Sequence, residues 1–262
     1  MTDARTQLTT RILLQAALPV AKVPLQEDPI LKRLFSRTSG TVQFVAQNRG
    51  APSVGAAWVF TEGALSVEQG VRERADITLR FSSPEKLNAF LGGKPVLPRI
   101  QGLRRLGLLV RTVVLLLKMK LLLPDARPKD PLNRRLKVKM SLYMITTALS
   151  QYNKGEDPDM VKWTLKQPDR VYQMQVESDP DIAAYLRVKA GKTKAGRGLY
   201  EKKRPFVLMK FRDIDSALRV MQKEIELVEA LSQGCLTLEG SPEYTAHFND
   251  FMMRIQGLVA GS

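Results

Sequence analysis

The stretch Ala75-Asp-Ile-Thr-Leu-Arg-Phe81 decides the fold of this chain, because a similar stretch follows it 130 positions later. The second stretch reads Pro205-Phe-Val-Leu-Met-Lys-Phe211. In the first, Ile77, Leu79 and Phe81 alternate with polar residues, which is the period of a half-buried β-strand. The chain is therefore predicted to build the same strand twice.

Two further pairs of segments extend the repeat on both sides of this strand. Downstream, Ile100-Gln-Gly102 is matched by Leu238-Glu-Gly240, which lies 138 positions later. Upstream, Ala57-Trp-Val-Phe-Thr-Glu-Gly63 is matched by Ala184-Tyr-Leu-Arg-Val-Lys-Ala-Gly191. Solenoid repeats are about 20–50 residues long. This repeat is far longer, so it indicates a duplicated domain.

Each copy is predicted to run in the order strand, strand, strand, helix, short strand and closing helix. The strands are short and closely connected, which favours a largely antiparallel sheet. The segment Pro124-Asp-Ala-Arg-Pro-Lys-Asp-Pro131 carries three prolines and reads as an extended linker. We therefore expect a first domain over residues 1–123 with N-terminal helices, a linker over 124–131, and a second, diverged domain over 132–262.

Three local expectations follow from helix signals along the chain. A helix over residues 4–18 is predicted to end at Pro19, because proline breaks a helix interior. The second copy has eight more residues than the first between the repeated strand and the short strand, and they are predicted to lengthen the helix from Asp213 to about Leu231. The acidic piece Glu156-Asp-Pro-Asp159 reads as a turn.

The net charge is +15 with a pI near 10.0, which points to an acidic partner. Phosphorylated ligands, anionic lipid headgroups, nucleic acid and acidic proteins all fit that description. A well-solvated basic surface with no such partner is the plain alternative. Residues 187–204 form a dense basic segment, but only Tyr185 and Tyr200 accompany it, so nucleic acid is not the expected partner.

The most unusual segment is residues 103–123, which is apolar most of the way round a helix. Arg104, Arg111 and Lys118 lie seven positions apart and form one basic stripe. The charges interrupt every long apolar run, so a membrane span is not expected. Three readings stay open: a helix buried between two domains, one wall of a pocket for a long apolar ligand, or a helix resting on a membrane.

Little in the sequence indicates catalysis. The single cysteine, Cys235, permits no intrachain disulfide, and with the single histidine, His247, it leaves no zinc site of ordinary composition. Gly191-Lys-Thr-Lys-Ala-Gly-Arg-Gly198 lacks the glycine spacing of a phosphate-binding loop and is predicted to be a flexible basic hairpin tip. We expect no catalytic residue, no metal, no cofactor and no enzymatic activity.

The order of these motifs resembles the sterol-carrier-protein-2-like, or sterol-binding, domain family. The resemblance rests on Ala75-Asp-Ile-Thr-Leu-Arg-Phe81, the helix through Phe90 and Leu91, Gly93-Lys94, and Ile100-Gln-Gly102 followed by an apolar helix. It covers roughly residues 38–120. It recurs more weakly over about 168–258, where the Gly-Lys pair is missing and Glu239 replaces the glutamine.

The resemblance implies an α+β fold of two tandem domains, each a roughly five-stranded, mostly antiparallel sheet covered by helices around a hydrophobic tunnel. Such tunnels take sterols, fatty acids or acyl-CoA esters. The family's short helix before the Gln-Gly strand is replaced here by Pro95-Val-Leu-Pro98. The implied lipid-binding walls are Trp58, Phe60, Phe90, Leu91, Leu109, Val113 and Leu117 in the first copy, and Met209, Phe211, Phe248, Phe251 and Met252 in the second.

The expected function is non-enzymatic binding and transfer of an apolar lipid, with docking on an anionic membrane surface. The residues expected to contact headgroups are Arg104, Arg111, Lys118, Lys192, Lys194 and Arg197. The single cysteine favours a cytoplasmic protein, and the basic residues favour peripheral attachment to a membrane. The alternative is a scaffold with filled tunnels that forms a homo-oligomer through the 103–123 helix.

Overall fold

Two five-stranded sheets, one in each half of the chain, form the framework of the protein. The structure is a computed structural model that describes residues 3–48 and 50–260. The chain divides into unit 1, residues 1–123 and 258–262, and unit 2, residues 124–257. Each unit combines one sheet with helices, so the predicted α+β class with two tandem five-stranded domains is confirmed.

Unit 1 contains six α-helices and five strands among its described residues. The helices are α1 Ala4–Ile12, α2 Leu18–Val20, α3 Lys22–Glu27, α4 Pro29–Phe35, α5 Pro84–Leu91 and α6 Leu106–Met119. The strands are β1 Gly40–Ala46, β2 Val54–Thr61, β3 Ala64–Gln69, β4 Ile77–Phe81 and β5 Arg99–Gln101. Short 3₁₀ turns, Leu103–Arg105 and Lys120–Leu122, flank α6.

Unit 2 repeats this pattern, with a long helix at each end. The helices are α7 Pro131–Lys154, α8 Pro158–Leu165, α9 Ile214–Met221, α10 Leu227–Ser232 and α11 Pro242–Ala260. The strands are β6 Arg170–Val176, β7 Asp179–Lys189, β8 Lys192–Arg197, β9 Val207–Phe211 and β10 Leu236–Gly240.

Both sheets have the same strand order. The order is β3-β2-β1-β4-β5 in unit 1 and β8-β7-β6-β9-β10 in unit 2. The central pairs, β1 with β4 and β6 with β9, are parallel, whereas the other pairs are antiparallel. The sheets are therefore mostly antiparallel, as the short connections predict, with one parallel pair at the centre of each.

The strand registers reproduce the two sequence offsets. Phe44 lies opposite Leu79 in unit 1, and Met174 lies opposite Met209 in unit 2, each 130 positions later. Leu79 then faces Ile100, whereas Met209 faces Leu238, which is 138 positions after Ile100. The repeat read from the sequence is thus a repeat of backbone pairing.

The prediction that the extra residues of the second copy lengthen one helix is wrong. Helix α9 ends at Met221, so α9 and α5 are both eight residues long. Lys223 adopts a left-handed φ of 57°, and the amide of Glu224 donates to the carbonyl of Arg219 at 2.9 Å, which closes the helix end. The added residues form the separate helix α10 instead.

Two other local expectations are corrected. Pro19 does not end the N-terminal helical region, because a π turn over Leu13–Ala17 widens the helix just before the pyrrolidine ring. The acidic piece expected to be a turn starts a helix: the side chain of Asp157 accepts from the amide of Met160 at 3.0 Å and caps α8.

The core of unit 1 lies between its sheet and helices and is filled by aromatic rings. Phe44 and Trp58 pack edge to face with ring centres 5.0 Å apart, and Phe35 packs on Phe60 at 5.1 Å. The indole Nε1 of Trp58 donates to the carbonyl of Leu18 at 3.3 Å. These contacts hold α2 and α4 against β2 and fill the space beneath them.

Candidate functional site

Helix α6 carries apolar side chains on two opposite sides. Leu108 and Leu115 are buried in the unit 1 core with Thr112, whose hydroxyl donates to the carbonyl of Leu108 at 2.8 Å. The other side carries large apolar side chains that remain in contact with solvent. We call this set the α6 stripe: Leu103, Leu106, Val110, Val113 and Leu117.

The exposure of the α6 stripe is unusually high for residues of this type. Leu106 and Val110 are each 61% exposed, and Leu117 is 55% exposed. Its members follow one another at intervals of three and four positions, so they line one side of the helix. A contiguous exposed apolar surface of this kind marks a contact site for a protein or a membrane. Helix α6 thus has one apolar face buried in the core and a second apolar face exposed to solvent.

The unit 1 residues expected to line a tunnel occupy three different environments. Trp58 and Phe60 are buried in the closed aromatic core. Phe90, Leu91 and Leu109 are half-buried and pack against that core, with the Phe90 ring 5.1 Å from Phe81. Val113 and Leu117 belong to the exposed α6 stripe. The structure therefore divides this set between core and surface, and its lipid-binding role stays a prediction.

The unit 2 residues expected to line a tunnel are brought together more closely. Phe248 stacks on Tyr172 with ring centres 5.1 Å apart, and Phe251 packs on Trp163 at 5.4 Å. Met209 and Phe211 are buried on β9, and Met252 is half-buried on α11. Phe248 and Phe251 thus belong to one aromatic cluster with Trp163 and Tyr172, and the role of the whole set toward a lipid stays a prediction.

The basic stripe of α6 mostly faces α4 rather than solvent. The Nε of Arg111 donates to the carbonyl of Leu34 at 3.1 Å, and the ammonium of Lys118 lies 2.5 Å from a carboxylate oxygen of Asp28. Arg104 is exposed. Two of the three predicted headgroup contacts therefore tie α6 to α4, so the solvent-facing side of the helix is apolar.

The basic segment expected to be a flexible hairpin tip is the regular strand β8. Lys192 and Lys194 flank Thr193 in the sequence and are exposed. Thr193 is buried, and its Oγ1 lies 3.2 Å from the hydroxyl oxygen of Ser150. The guanidinium of Arg197 stacks on the Tyr143 ring at 4.9 Å. The alternation of lysine and threonine is a strand pattern, and it presents the two lysines on one face.

A cavity of about 410 Å³ opens in unit 1 where α6 begins. We call it the arginine pocket. Its lining residues are Arg37, Thr38, Ser39, Arg104, Arg105, Leu106, Gly107, Leu108 and Arg111. Sequence analysis identified Arg104 and Arg111 but not Arg37 or Thr38, because those two residues lie before β1 and reach the start of α6 only in the folded domain.

A cavity of about 580 Å³ in unit 2 overlaps the position of the arginine pocket in the repeat. We call it the counterpart cavity. Thr38 and Ser39 of the arginine pocket correspond, at the offset of 130, to Pro168 and Asp169 of the counterpart cavity. Arg204 lines the counterpart cavity, and Arg187 lies on strand β7 and contacts the lining residue Asp169. The two arginines have different acidic partners. Arg187 hydrogen bonds to Asp169 at 2.7 Å and holds the pKa of that carboxyl far below its usual range.

No protein-family model matches the sequence, and no curated protein matches it. Among solved structures, the chain is similar to a double mutant of the sec-alkyl sulfatase PisA1, at 16% identity and a TM-score of 0.27, with 54% of this chain and 27% of that chain covered. It is also similar to the stereoselective inverting sec-alkylsulfatase Pisa1 from Pseudomonas sp., at 15% identity and a TM-score of 0.25, with 55% of this chain and 28% of that chain covered. The chain spans less than a third of those structures, and at these TM-scores the likeness carries no argument.

None of the helices within residues 3–48 and 50–260 combines the length and apolar character that crossing a bilayer requires. In the same part of the chain, histidine, cysteine, aspartate and glutamate side chains nowhere gather in threes as a metal-binding group.

Proposed function

We propose that this protein binds an apolar lipid and docks on an anionic membrane surface through the α6 stripe. The exposed α6 stripe is the observation that carries the proposal. An apolar helix face bounded by basic residues is the arrangement by which helices lie in the interface of a bilayer. The ligand class is a sterol, a fatty acid or an acyl-CoA ester, as the family resemblance implies.

The energetics favour shallow insertion of the stripe. Burying a half-exposed leucine or valine contributes about 1 kcal/mol, so the five members together supply a few kcal/mol. Each lysine or arginine near an anionic surface adds about 1 kcal/mol. Arg104 at the start of α6 and Lys120 just after it are both exposed. They can therefore reach headgroups while the stripe between them contacts the acyl region.

Docking of α6 also offers a route to the core for a lipid chain. Trp58 and Phe60 are closed off by packing beneath α2 and α4, so an alkyl chain reaches them only where a helix separates from the sheet. A membrane that binds the exposed α6 stripe attracts this helix from the side that faces away from the core. We therefore place lipid entry beside α6, where half-buried Leu109 and Leu116 border the core.

The α6 stripe is tested with the double variant Val110→Ser/Leu117→Gln. Both residues are exposed, so the fold is expected to survive, whereas the affinity for vesicles of anionic phospholipid should fall about tenfold to thirtyfold. Co-sedimentation with anionic and with zwitterionic vesicles measures the effect. The control is Val228→Ser/Leu165→Gln, which makes the same changes at residues that are 79% and 61% exposed in unit 2.

The control separates a specific face from general surface hydrophobicity. The proposal predicts that the control variant sediments with anionic vesicles as the wild type does. Equal binding by the wild type and the α6 variant, or equal loss in both variants, would contradict docking through α6.

A scaffold that self-associates through α6 is the second candidate. One observation favours it: the alternating intervals of three and four in the α6 stripe are those of a coiled-coil seam. This candidate predicts an oligomer that forms with rising protein concentration in the absence of lipid and is lost in Val110→Ser/Leu117→Gln. Analytical ultracentrifugation decides between the two, because a lipid-docking face predicts a monomer in lipid-free buffer.

A further inference from the structure

The arginine pocket concentrates positive charge that the surrounding residues compensate only in part. Four guanidinium groups line it, and none of its lining residues is acidic. Arg105 pairs with Asp76 at 3.3 Å, and Arg111 uses its Nε for the carbonyl of Leu34. Within the described part of the chain, Arg37 and Arg104 have no ion-pair partner. The pocket thus retains a strong attraction for an anion.

A buried hydroxyl in the same pocket lacks a partner. Thr38 is only 4% exposed, and its Oγ1 makes no hydrogen bond with any described residue. Both backbone groups of Thr38 are bonded, to Phe35 and to Gly63. A buried polar group without a partner destabilises a fold. Thr38 lines the pocket, so a ligand oxygen that reached its Oγ1 would accept the missing hydrogen bond.

The start of α6 adds to the positive potential of the pocket. Helix α6 has 14 residues and no side-chain cap at its first turn, where a helix carries partial positive charge. Gly107 leaves space beside Arg111, whose Nη1 lies 3.7 Å from the point that a Cβ of residue 107 would occupy. The Arg111 side chain therefore folds back over the helix start and faces the same space as the helix dipole.

Two of the three basic residues that line the counterpart cavity are paired with acidic residues of the same lining. Lys203 lies 3.1 Å from Asp169, and Arg204 lies 3.2 Å from Glu239. The guanidinium of Arg170 stacks between two aromatic rings, Phe206 at 4.0 Å and Tyr244 at 4.2 Å. The two copies have therefore diverged at one position of the fold, and only the unit 1 copy combines converging arginines with a lining that lacks acidic residues.

We infer that the arginine pocket binds a phosphate group, either of a soluble phosphate ester or of a lipid headgroup. A guanidinium group donates two parallel hydrogen bonds to two phosphate oxygens, and four arginines line this pocket. The helix start favours the same anion. The inference is independent of the proposed lipid function, because a soluble phosphate ester satisfies the same contacts.

The direct test is titration with inorganic phosphate and with glycerol 3-phosphate, followed by calorimetry and by ³¹P NMR. The variant Arg37→Ala/Arg104→Ala removes two exposed and unpaired arginines and should raise the Kd about tenfold or more. The control Arg5→Ala/Lys86→Ala removes the same charge from exposed positions of α1 and α5 and should bind as the wild type does. Equal affinity in all three proteins, or equal loss in both variants, would overturn the inference.

Thr38→Val supplies a second readout that a purely structural role would not give. It replaces the unpartnered hydroxyl with a methyl group of the same shape, so the phosphate-free protein should unfold at the same or a higher temperature. The same variant should bind phosphate about threefold to tenfold more weakly. Unchanged phosphate affinity in Thr38→Val would overturn the assignment of this hydroxyl to the site.

Vesicles separate the two sources of the phosphate. With a headgroup, vesicles of phosphatidic acid in phosphatidylcholine should bind more tightly than phosphatidylserine vesicles of equal charge, and Arg37→Ala/Arg104→Ala should abolish that preference. With a soluble ester, the same variant should lose phosphate binding, and the loss of the Arg104 charge should weaken its binding to phosphatidic acid and phosphatidylserine vesicles equally. Val110→Ser/Leu117→Gln should keep phosphate affinity in both cases, so failure of membrane docking is distinguishable from failure of the pocket.

Discussion

Lys137 lies in α7 with only 3% of its surface exposed, and burial dominates its chemistry. Burial lowers its pKa from 10.5 to about 8; nearby Arg127 lowers it further, and Asp125 opposes the shift. The unfolded chain keeps this proton up to about pH 10.5, whereas the folded chain releases it near pH 8. Unfolding therefore takes up a proton between these values, so the free energy of unfolding should rise as the pH increases through this window.

Lys137→Met tests this linkage. The variant keeps the length of the side chain but cannot be charged, so it should lose the rise between pH 8 and 10 and be more stable than the wild type at pH 7 by about 1–3 kcal/mol. Urea unfolding at a series of pH values gives the comparison. A parallel pH dependence of the two proteins would show that Lys137 does not titrate in this window.

Residue identity alone predicted few of the contacts at this scale. Cys235 is buried at the bend just before β10. The sequence did not predict a site at Arg37 and Thr38, because an ordinary Arg-Thr pair before a strand lines a pocket only when α6 packs beside it. The pairing of Lys118 with Asp28 was likewise not predicted, since ninety positions of sequence separate them. Contacts of this range depend on the packed domain.

At the scale of the element, Asp28 joins two helices. Its Oδ1 accepts from the amides of Ile30 at 2.9 Å and Leu31 at 3.2 Å, which caps α4, and its other oxygen pairs with Lys118 of α6. Burial raises the pKa of Asp28, but Lys118 and the two amides outweigh it, so the pKa lies below 3.8. The stabilisation is therefore present above pH 3.8 and is lost as the pH falls through the lower folded value.

Asp28→Asn should destabilise the protein by about 1–3 kcal/mol at pH 7, because it leaves the ammonium of Lys118 without its buried carboxylate. The matched control is Asp3→Asn, since exposed Asp3 precedes α1 without a side-chain cap bond. Thermal and urea unfolding should show the loss in Asp28→Asn and almost none in Asp3→Asn. Equal stability of the two variants would contradict a linking role for Asp28.

Periodicity predicted the strands well and the helix ends less well. Strand alternation is local and repeated in both copies, so the positions of β4 and β9 followed directly from the sequence. The end of α9 depends on a left-handed backbone at Lys223, a residue type that does not usually signal a helix end. The continuation of the helical region past Pro19 depends on a π turn, which the residue types of this segment do not predict.

At the scale of the whole molecule, duplication followed by divergence explains most of the observations. The same strand order and the same registers recur in both units, so one framework was built twice. The closing helices differ: α6 exposes an apolar stripe, whereas Phe248, Phe251 and Ile255 of α11 are buried. The two equivalent cavities differ in charge. The α6 stripe and the arginine pocket, on which both proposals rest, therefore lie in unit 1, at and beside α6.

The most direct test of lipid binding is native mass spectrometry of gently purified protein, followed by organic extraction and lipid analysis. The proposed function predicts a bound lipid near one or two per chain, and its chemistry would identify the ligand class. A mass equal to that of the bare chain, with no uptake of added sterol, fatty acid or acyl-CoA, would contradict lipid binding and leave self-association through α6 as the better explanation.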